Sequence, residues 1–284
     1  MKIIKLTLAH KLTIPLEVDG LSPAKLAGMS IEQIKACEIW YGKTKRQVGD
    51  FFQVETVEGT PDLPEGISIL DDDACLEYFG DLSRVKRIGQ SLDEGLILVH
   101  GDAGIHLGAF MSGGCIVVEG STGDWTGAHM SGGQIRVKGN VGNFTGSGYW
   151  GSKLGMTGGQ ILIEGSAADM TGRLMRRGLI TVLGDTGDFT AGNMVAGTVI
   201  VGGTTGRRTG AEMKRGTVIL IQEPEMMPTF QQTCVYEPVF LNVFVRLLRA
   251  AGINVPGLEE NVTCRRYAGD QVVQGKGEIL ICQS

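Results

Sequence analysis

The middle of this chain repeats every 19 residues. Written in lines of that length it reads GDAGIHLGAFMSGGCIVVE from Gly101 and GSTGDWTGAHMSGGQIRVK from Gly120. GNVGNFTGSGYWGSKLGMTGGQILIE follows from Gly139 and carries seven extra residues. GSAADMTGRLMRRGLITVL starts at Gly165, GDTGDFTAGNMVAGTVIVG at Gly184 and GTTGRRTGAEMKRGTVILI at Gly203. A weaker line, LSRVKRIGQSLDEGLILVH, precedes them from Leu82. A sustained period of this length is the mark of a repeat architecture, in which each line is one unit stacked on the last.

Each column has its own physical character. The eleventh reads Leu92, Met111, Met130, Met156, Met175, Met194, Met213. The sixteenth (Ile97, Ile116, Ile135, Ile161, Ile180, Val199, Val218) and the eighteenth (Val99, Val118, Val137, Ile163, Val182, Val201, Leu220) are apolar and two apart. That spacing is a short strand with one buried face. The fourteenth column is always glycine, as a turn before the strand requires. Glycine reaches 44 of 284 residues, about twice ordinary usage, and the repeat accounts for the excess. One strand per line, tight turns and no helical segment exclude a helical bundle and a propeller. They predict an all-β core, a right-handed parallel β-helix of about seven 19-residue coils. A threonine column (Thr126, Thr145, Thr171, Thr190, Thr209) and an Asp/Asn column (Asp124, Asn143, Asp169, Asp188) are expected to bond neighbouring turns, with calcium binding by the carboxylates as the alternative.

The seventeenth column points outward yet reads Leu98, Val117, Arg136, Leu162, Thr181, Ile200, Ile219, so something must cover it. The segment PVFLNVFVRLLRAAGI supplies a helix with a stripe of Phe240, Val243, Phe244, Leu247 and Leu248, ended by Gly252. That helix, or a partner subunit, is expected on the face. Residues 1–81 do not repeat and read as a small α+β cap, with Ser30 and Gln33 as a capping box. Residues 82–221 form the β-helix, and 222–284 a helix and edge-strand extension in which EILIC adds to a sheet edge.

Composition limits the partners. A formal charge of −5 argues against nucleic acid and anionic membrane. Six cysteines without a C-x-x-C pair give no zinc or iron–sulfur motif. No apolar run of about 18 residues is present, and the N-terminus lacks the core of a secretion signal. A cytoplasmic location with reduced thiols is the expectation.

No catalytic constellation emerges. His10, His100, His106 and His129 lack metal-ligand spacing, and His106 shares a column with Trp125 and Phe144, so it reads as a face residue. No nucleophile elbow, phosphate loop or dinucleotide motif occurs. No catalytic and no metal-binding residue is assigned. Two features stand above the repeat. Arg173, Arg176, Arg177, Arg207, Arg208, Lys214 and Arg215 gather on nearby turns, where Arg265 and Arg266 join them, as a contact for a polyanion or an acidic partner. The insertion SGYWGSKLG exposes Tyr149, Trp150 and Lys153 as a docking loop, with a local cover over the coils as the alternative.

The repeated G-x-x-G-x-x-x-G followed by M-x-x-G-x-I-x-V resembles the glycine-rich β-helix of the glutamate synthase C-terminal domain and of the formylmethanofuran dehydrogenase C subunit. LAGMSIEQI, TGRLMRRG, PTF (Pro228–Phe230), RRYAGD and GKGEIL are similar to the C subunit of the bacterial formyltransferase/hydrolase complex. The resemblance implies a scaffold subunit, itself non-catalytic, with A, B and D subunits as partners. It implies a complex that moves a formyl group from tetrahydromethanopterin to a methanofuran-type carrier and hydrolyses it to formate. No cofactor is expected on this chain, while the glutamate-rich arm of the carrier is a candidate ligand of the arginines. The rivals are the C subunit of an archaeal tungsten or molybdenum dehydrogenase that reduces carbon dioxide, a fragment of glutamate synthase, and a stand-alone polysaccharide-acting β-helix enzyme.

Overall fold

The computed structural model describes residues 1–67 and 74–283. Among the described residues the chain is mostly β, with one sheet of 13 strands, a second of four, and few helices. The sheet is built from the repeat. Leu96–His100, Cys115–Val118, Gln134–Val137, Gln160–Ile163, Leu179–Val182, Thr198–Val201 and Arg215–Leu220 follow one another in parallel. Their register matches the sequence columns, pairing Ile97 with Ile116, Ile135, Ile161, Ile180, Val199 and Val218 in turn. A second ladder of single parallel bridges links Ala103, Thr122, Val141, Ala167, Thr186 and Thr205.

The interior follows from the same columns. The sixteenth and eighteenth columns are buried to 1% exposure or less, and the methionines from Met111 to Met213 are fully buried beside them. Unbranched, flexible methionine adapts readily to the narrow space beside the stacked strands. The Thr126 and Thr145 hydroxyls donate to the Gly123 and Gly142 carbonyls at 3.1 and 3.2 Å. Thr171, Thr190 and Thr209 do the same to Ala168, Gly187 and Gly206. The threonines therefore bond within their own repeats and not between turns, which corrects the expectation for that column. Their side chains point inward and reach the carbonyl three residues back, and Thr126 Oγ1 also lies 2.8 Å from Thr122 Oγ1 of its own repeat. The Asp/Asn column does bridge repeats: Asp124 Oδ1 accepts from the Asn143 N–H at 2.7 Å, Asp169 from Asp188 at 2.8 Å and Asp188 from Arg207 at 2.7 Å. A parallel set runs through Asp102, Ser121, Asn140, Ser166 and Asp185.

Both ends of the stack are extended by the flanks. Cys75–Phe79 joins Leu96–His100 in parallel, Lys2–Leu8 follows, and Phe52–Glu58 closes that edge antiparallel. At the other end Lys276–Gln283 adds in parallel to Arg215–Leu220, so EILIC does extend an edge. Thr263–Gly269 and Gln231–Tyr236 complete the sheet. The capping box forms, the Ser30 N–H donating to Gln33 Oε1 at 2.9 Å.

The outward seventeenth column is covered from two directions. Leu98 and Val117 pack with Leu63 and Ile67 of the N-terminal flank. Leu162, Ile200 and Ile219 pack with the helix Leu241–Ala250 and with Ile253, Val255 and Leu258 beyond it. The buried stripe of that helix is Leu241, Val245 and Leu248, whereas Phe240 and Val243 are 41% and 64% exposed. This turns the helix from the expected Phe240–Val243 face. Its polar contacts hold that rotation: Asn242 bonds Asn261 in both directions, and Arg246 and Arg249 reach Glu260.

Thr181 shares this covered face at 1% exposure, and its Oγ1 has no hydrogen-bond partner among the described residues. A buried hydroxyl without a partner keeps its full desolvation cost. Thr181→Val, which gives the column a methyl like its neighbours, should therefore raise stability by about 1 kcal/mol. A urea titration of the full chain showing loss of stability would contradict this account of the face.

Candidate interaction site

The stacked turns place aromatic side chains in two rows. His106, Trp125 and Phe144 occupy the sixth column, Phe110 and His129 the tenth, and all five have φ between 57° and 66°. Left-handed backbone costs about 1–2 kcal/mol for a residue with a side chain. Equivalent columns lie about 4.8 Å apart, so rings in one column stack. Trp125 and Phe144 stack at 4.3 Å between centroids, and Phe110 and His129 at 5.1 Å with planes 5° apart.

The insertion folds onto these rows. The Tyr149 ring lies 4.9 Å from Trp125, 5.3 Å from His129 and 5.4 Å from His106. Its hydroxyl is 2.9 Å from His106 Nδ1. The Tyr149 backbone N–H donates to His129 Nε2 at 2.9 Å, and Ser152 Oγ is 3.2 Å from the same nitrogen. Since a backbone N–H only donates, this Nε2 carries no proton. Burial lowers the pKa of His129, and burial followed by the Arg87 charge lowers that of His106. Trp150 stays 66% exposed and meets Phe144 edge-on at 5.3 Å, with the Arg173 guanidinium 5.0 Å over its ring. Lys153 is exposed and has no ion pair among the described residues. The loop thus covers with Tyr149 and presents Trp150 and Lys153 outward.

This clasp should be sensitive to acid. The folded state favours neutral His129, so its contribution is complete above the ordinary histidine pKa of about 6.5 and is lost as pH falls through the lowered folded value. Two hydrogen bonds, together about 1–2 kcal/mol, are at stake. The protection factor of the Tyr149 amide, its exchange relative to the intrinsic rate at each pH, is expected to fall on acidification in the wild type. In His129→Phe it should be low at every pH. Equal protection across the range would remove His129 from that role.

The basic residues do not all meet. Arg176, Arg177 and Arg215 line one open depression of about 370 Å3, floored by Gly178, Val195, Ala196 and Gly197. All three are exposed, and none has a salt bridge among the described residues. Lys276, directly opposite Arg215 in the sheet register, extends the positive edge. Lys214 is exposed but does not line the depression. Arg173 is engaged with Trp150, Arg208 stacks on Phe189 at 5.2 Å, and Arg207 approaches Glu225 at 3.9 Å. Arg265 and Arg266 are taken by Glu223 and Glu278 at 2.8 and 2.7 Å.

A smaller cavity of about 160 Å3 lies beside Asp62, Pro64 and His100. His100 sits between Glu119 at 3.1 Å and Glu77 at 3.8 Å, with Lys138 3.5 Å from Glu119 and Lys5 3.7 Å from Glu77. On either side of His100 each glutamate is offset by a lysine, Glu77 by Lys5 and Glu119 by Lys138. Among the described residues no group of three or more His, Cys, Asp or Glu is placed to hold a metal ion.

The family model for the GXGXG motif matches residues 97–242, the glycine-rich repeats and the segment leading into the helix. This chain belongs to the GXGXG motif family. A chain of the formyltransferase/hydrolase complex FhcABCD from Methylorubrum extorquens, solved with methylofuran, matches it at 32% identity and a TM-score of 0.86, covering 98% of both chains. The C subunit of the tungsten-containing formylmethanofuran dehydrogenase 2 of Methanothermobacter wolfeii is 38% identical over 110 residues, 38% of this chain and 37% of that one. The C subunit of the molybdenum-containing formylmethanofuran dehydrogenase 1 from the same organism is 35% identical over 95 residues, 34% of this chain and 21% of that one. The alignments thus span between about a fifth and little more than a third of the length of these curated relatives. The matches thus include C subunits of formylmethanofuran dehydrogenase, to which the repeat motif points, and over nearly the whole length a chain of the formyltransferase/hydrolase complex, to which the end motifs point.

The sequence places Tyr149 and Trp150 on a loop but does not by itself identify the loop's anchors, His106 and His129. A signal is present: the sixth and tenth columns each gather aromatic rings beside the one repeat that carries extra residues.

Proposed function

We propose that this chain is the non-catalytic scaffold subunit of a complex that transfers a formyl group from tetrahydromethanopterin to a methanofuran-type carrier and hydrolyses it to formate. The observation that carries this reading is the match to a chain of the formyltransferase/hydrolase complex, which runs through nearly the whole length of both, flanks included. The likeness to the archaeal dehydrogenase subunits is confined to about a third of the chain, so it favours the redox version of the complex less. In this reading the partners are the A, B and D subunits, the carriers are used by the complex, and this chain itself holds no cofactor. The complex works in the cytoplasm, and no helix among the described residues is long and apolar enough to cross a membrane.

The scaffold in this proposal is a right-handed parallel β-helix of about seven coils, supported by the two parallel ladders that advance by the sequence repeat. Residues 1–81 and 222–284 are its end units. A stack that bonds every repeat to the next is rigid, which is what a subunit holding other active sites apart needs.

Affinity purification of the tagged full-length chain from its native host tests the proposal. The expected outcome is three further subunits with formyltransferase/hydrolase activity in the assembly, and no such activity in the isolated chain. A tungsten- or molybdenum-pterin subunit in the assembly would favour the dehydrogenase. Formyl transfer by the chain alone would end the scaffold reading.

A further inference from the structure

Three arginines that fold together without a carboxylate are an unfinished piece of electrostatics. The repeat explains how they gather. Arg176 and Arg177 precede Gly178, and Arg215 precedes Gly216, at equivalent places two repeats apart. The repeat between them has Val195 and Ala196 there. Short side chains between long ones make a groove instead of a flat basic surface, and that groove is the depression of about 370 Å3. Among the described residues no acidic one lines it.

The spacing selects a partner. Two ladder steps separate the arginine positions by about 10 Å. A polyproline-II segment repeats every three residues and rises about 9.3 Å in that distance, so carboxylates at i and i+3 face the same side with matching separation. An acidic segment can also lie over Val195 and Ala196 without burying a charge against them.

We propose that the groove between Arg176, Arg177 and Arg215 is the docking site for an extended acidic segment of a partner protein chain. Carboxylates three residues apart bind Arg176 and Arg177 at one end, and Arg215 with Lys276 beside it at the other. This rests on the reading of the chain as one subunit of a larger complex.

Two measurements test it. In the first, the full-length chain is titrated into a fluorescein-labelled deca-glutamate peptide, followed by anisotropy. Saturable binding that weakens with salt is expected, and the triple variant R176E/R177E/R215E should bind at least about tenfold more weakly. Reversal of the exposed Arg46, on the small four-stranded sheet, should change nothing. Absence of peptide binding, or equal binding by the triple variant with an unchanged melting curve, overturns the groove. So does inorganic tripolyphosphate binding through these arginines where the peptide does not. In the second, the triple variant is built into the assembled complex. Loss of a subunit on size exclusion is the expected result. A complete assembly at wild-type rate overturns the proposal and leaves the subunit reading intact. A complete assembly with slowed formyl transfer assigns the groove to a mobile carrier and overturns docking as well. A wild-type chain that co-purifies with no other subunit instead strikes the subunit reading itself.

Discussion

Arg136→Ala is expected to lower the stability of the folded chain by about 3–5 kcal/mol, the range for breaking a buried ion pair. Arg136 stands in the outward column at 7% exposure, between the two apolar clusters that cover that face. Its Nε donates to Glu164 at 2.7 Å, and one terminal nitrogen donates to the Glu65 and Ala251 carbonyls at 3.0 Å each. One side chain therefore ties both flanks to the central sheet. Truncation leaves Glu164 and two carbonyls without their donor and opens a gap where the flanks meet. Arg136→Met keeps the stem but not the hydrogen bonds, and should recover part of the packing. Urea unfolding, followed with hydrogen exchange at Glu65 and Ala251, reads both effects. A stability within about 0.5 kcal/mol of wild type, as for an ordinary surface substitution, would show that the flanks hold without this residue.

Gly133→Ala should cost about 2–5 kcal/mol, from a left-handed backbone and an overfilled turn together. Gly133 has φ +81°, and an added Cβ would lie 2.5 Å from the Gly113 carbonyl oxygen and 2.6 Å from Met111 Cε. The carbonyl belongs to the preceding repeat and cannot give without breaking the ladder. Gly28→Ala is the matched control, because nothing lies within 4 Å of a Cβ there and its backbone is right-handed at φ −84°. It should be neutral or stabilising by up to about 1 kcal/mol, through the unfolded chain. Equal melting temperatures for the two variants would refute the steric account of the glycine column.

Much of the sheet is legible in the amino-acid sequence alone, because a stacked repeat translates sequence columns directly into ladders. The pairing of Ile116 with Ile135 is a statement about 19-residue spacing as much as about space. The threonine column shows the limit of that logic. A column fixes which residues are neighbours but not where a hydroxyl points, and these turn to their own repeat's carbonyls. The helix shows another limit: hydrophobicity alone admits more than one buried stripe, and Asn261 and Glu260 set the rotation from outside it. Of the site residues, Arg176, Arg177 and Arg215 can be grouped from their columns. The engagement of Arg173, Arg207 and Arg208 cannot, because it depends on Trp150, Glu225 and Phe189 reaching them across turns or from outside the repeat.

The sequence by itself determined the strand spacing, the apolar columns and the two sites at which the repeat is broken, the insertion and the arginines. These are local properties copied from one repeat to the next, and copying is visible in a string of letters. Only the tertiary structure decided what the breaks do. Tyr149 closes on two histidines 20 and 43 residues earlier in the chain. Arg136 joins segments 71 and 115 residues away. Such contacts are made once, between parts of the chain that no period relates, so their energy is fixed by how the flanks and the loop pack and by nothing that repeats.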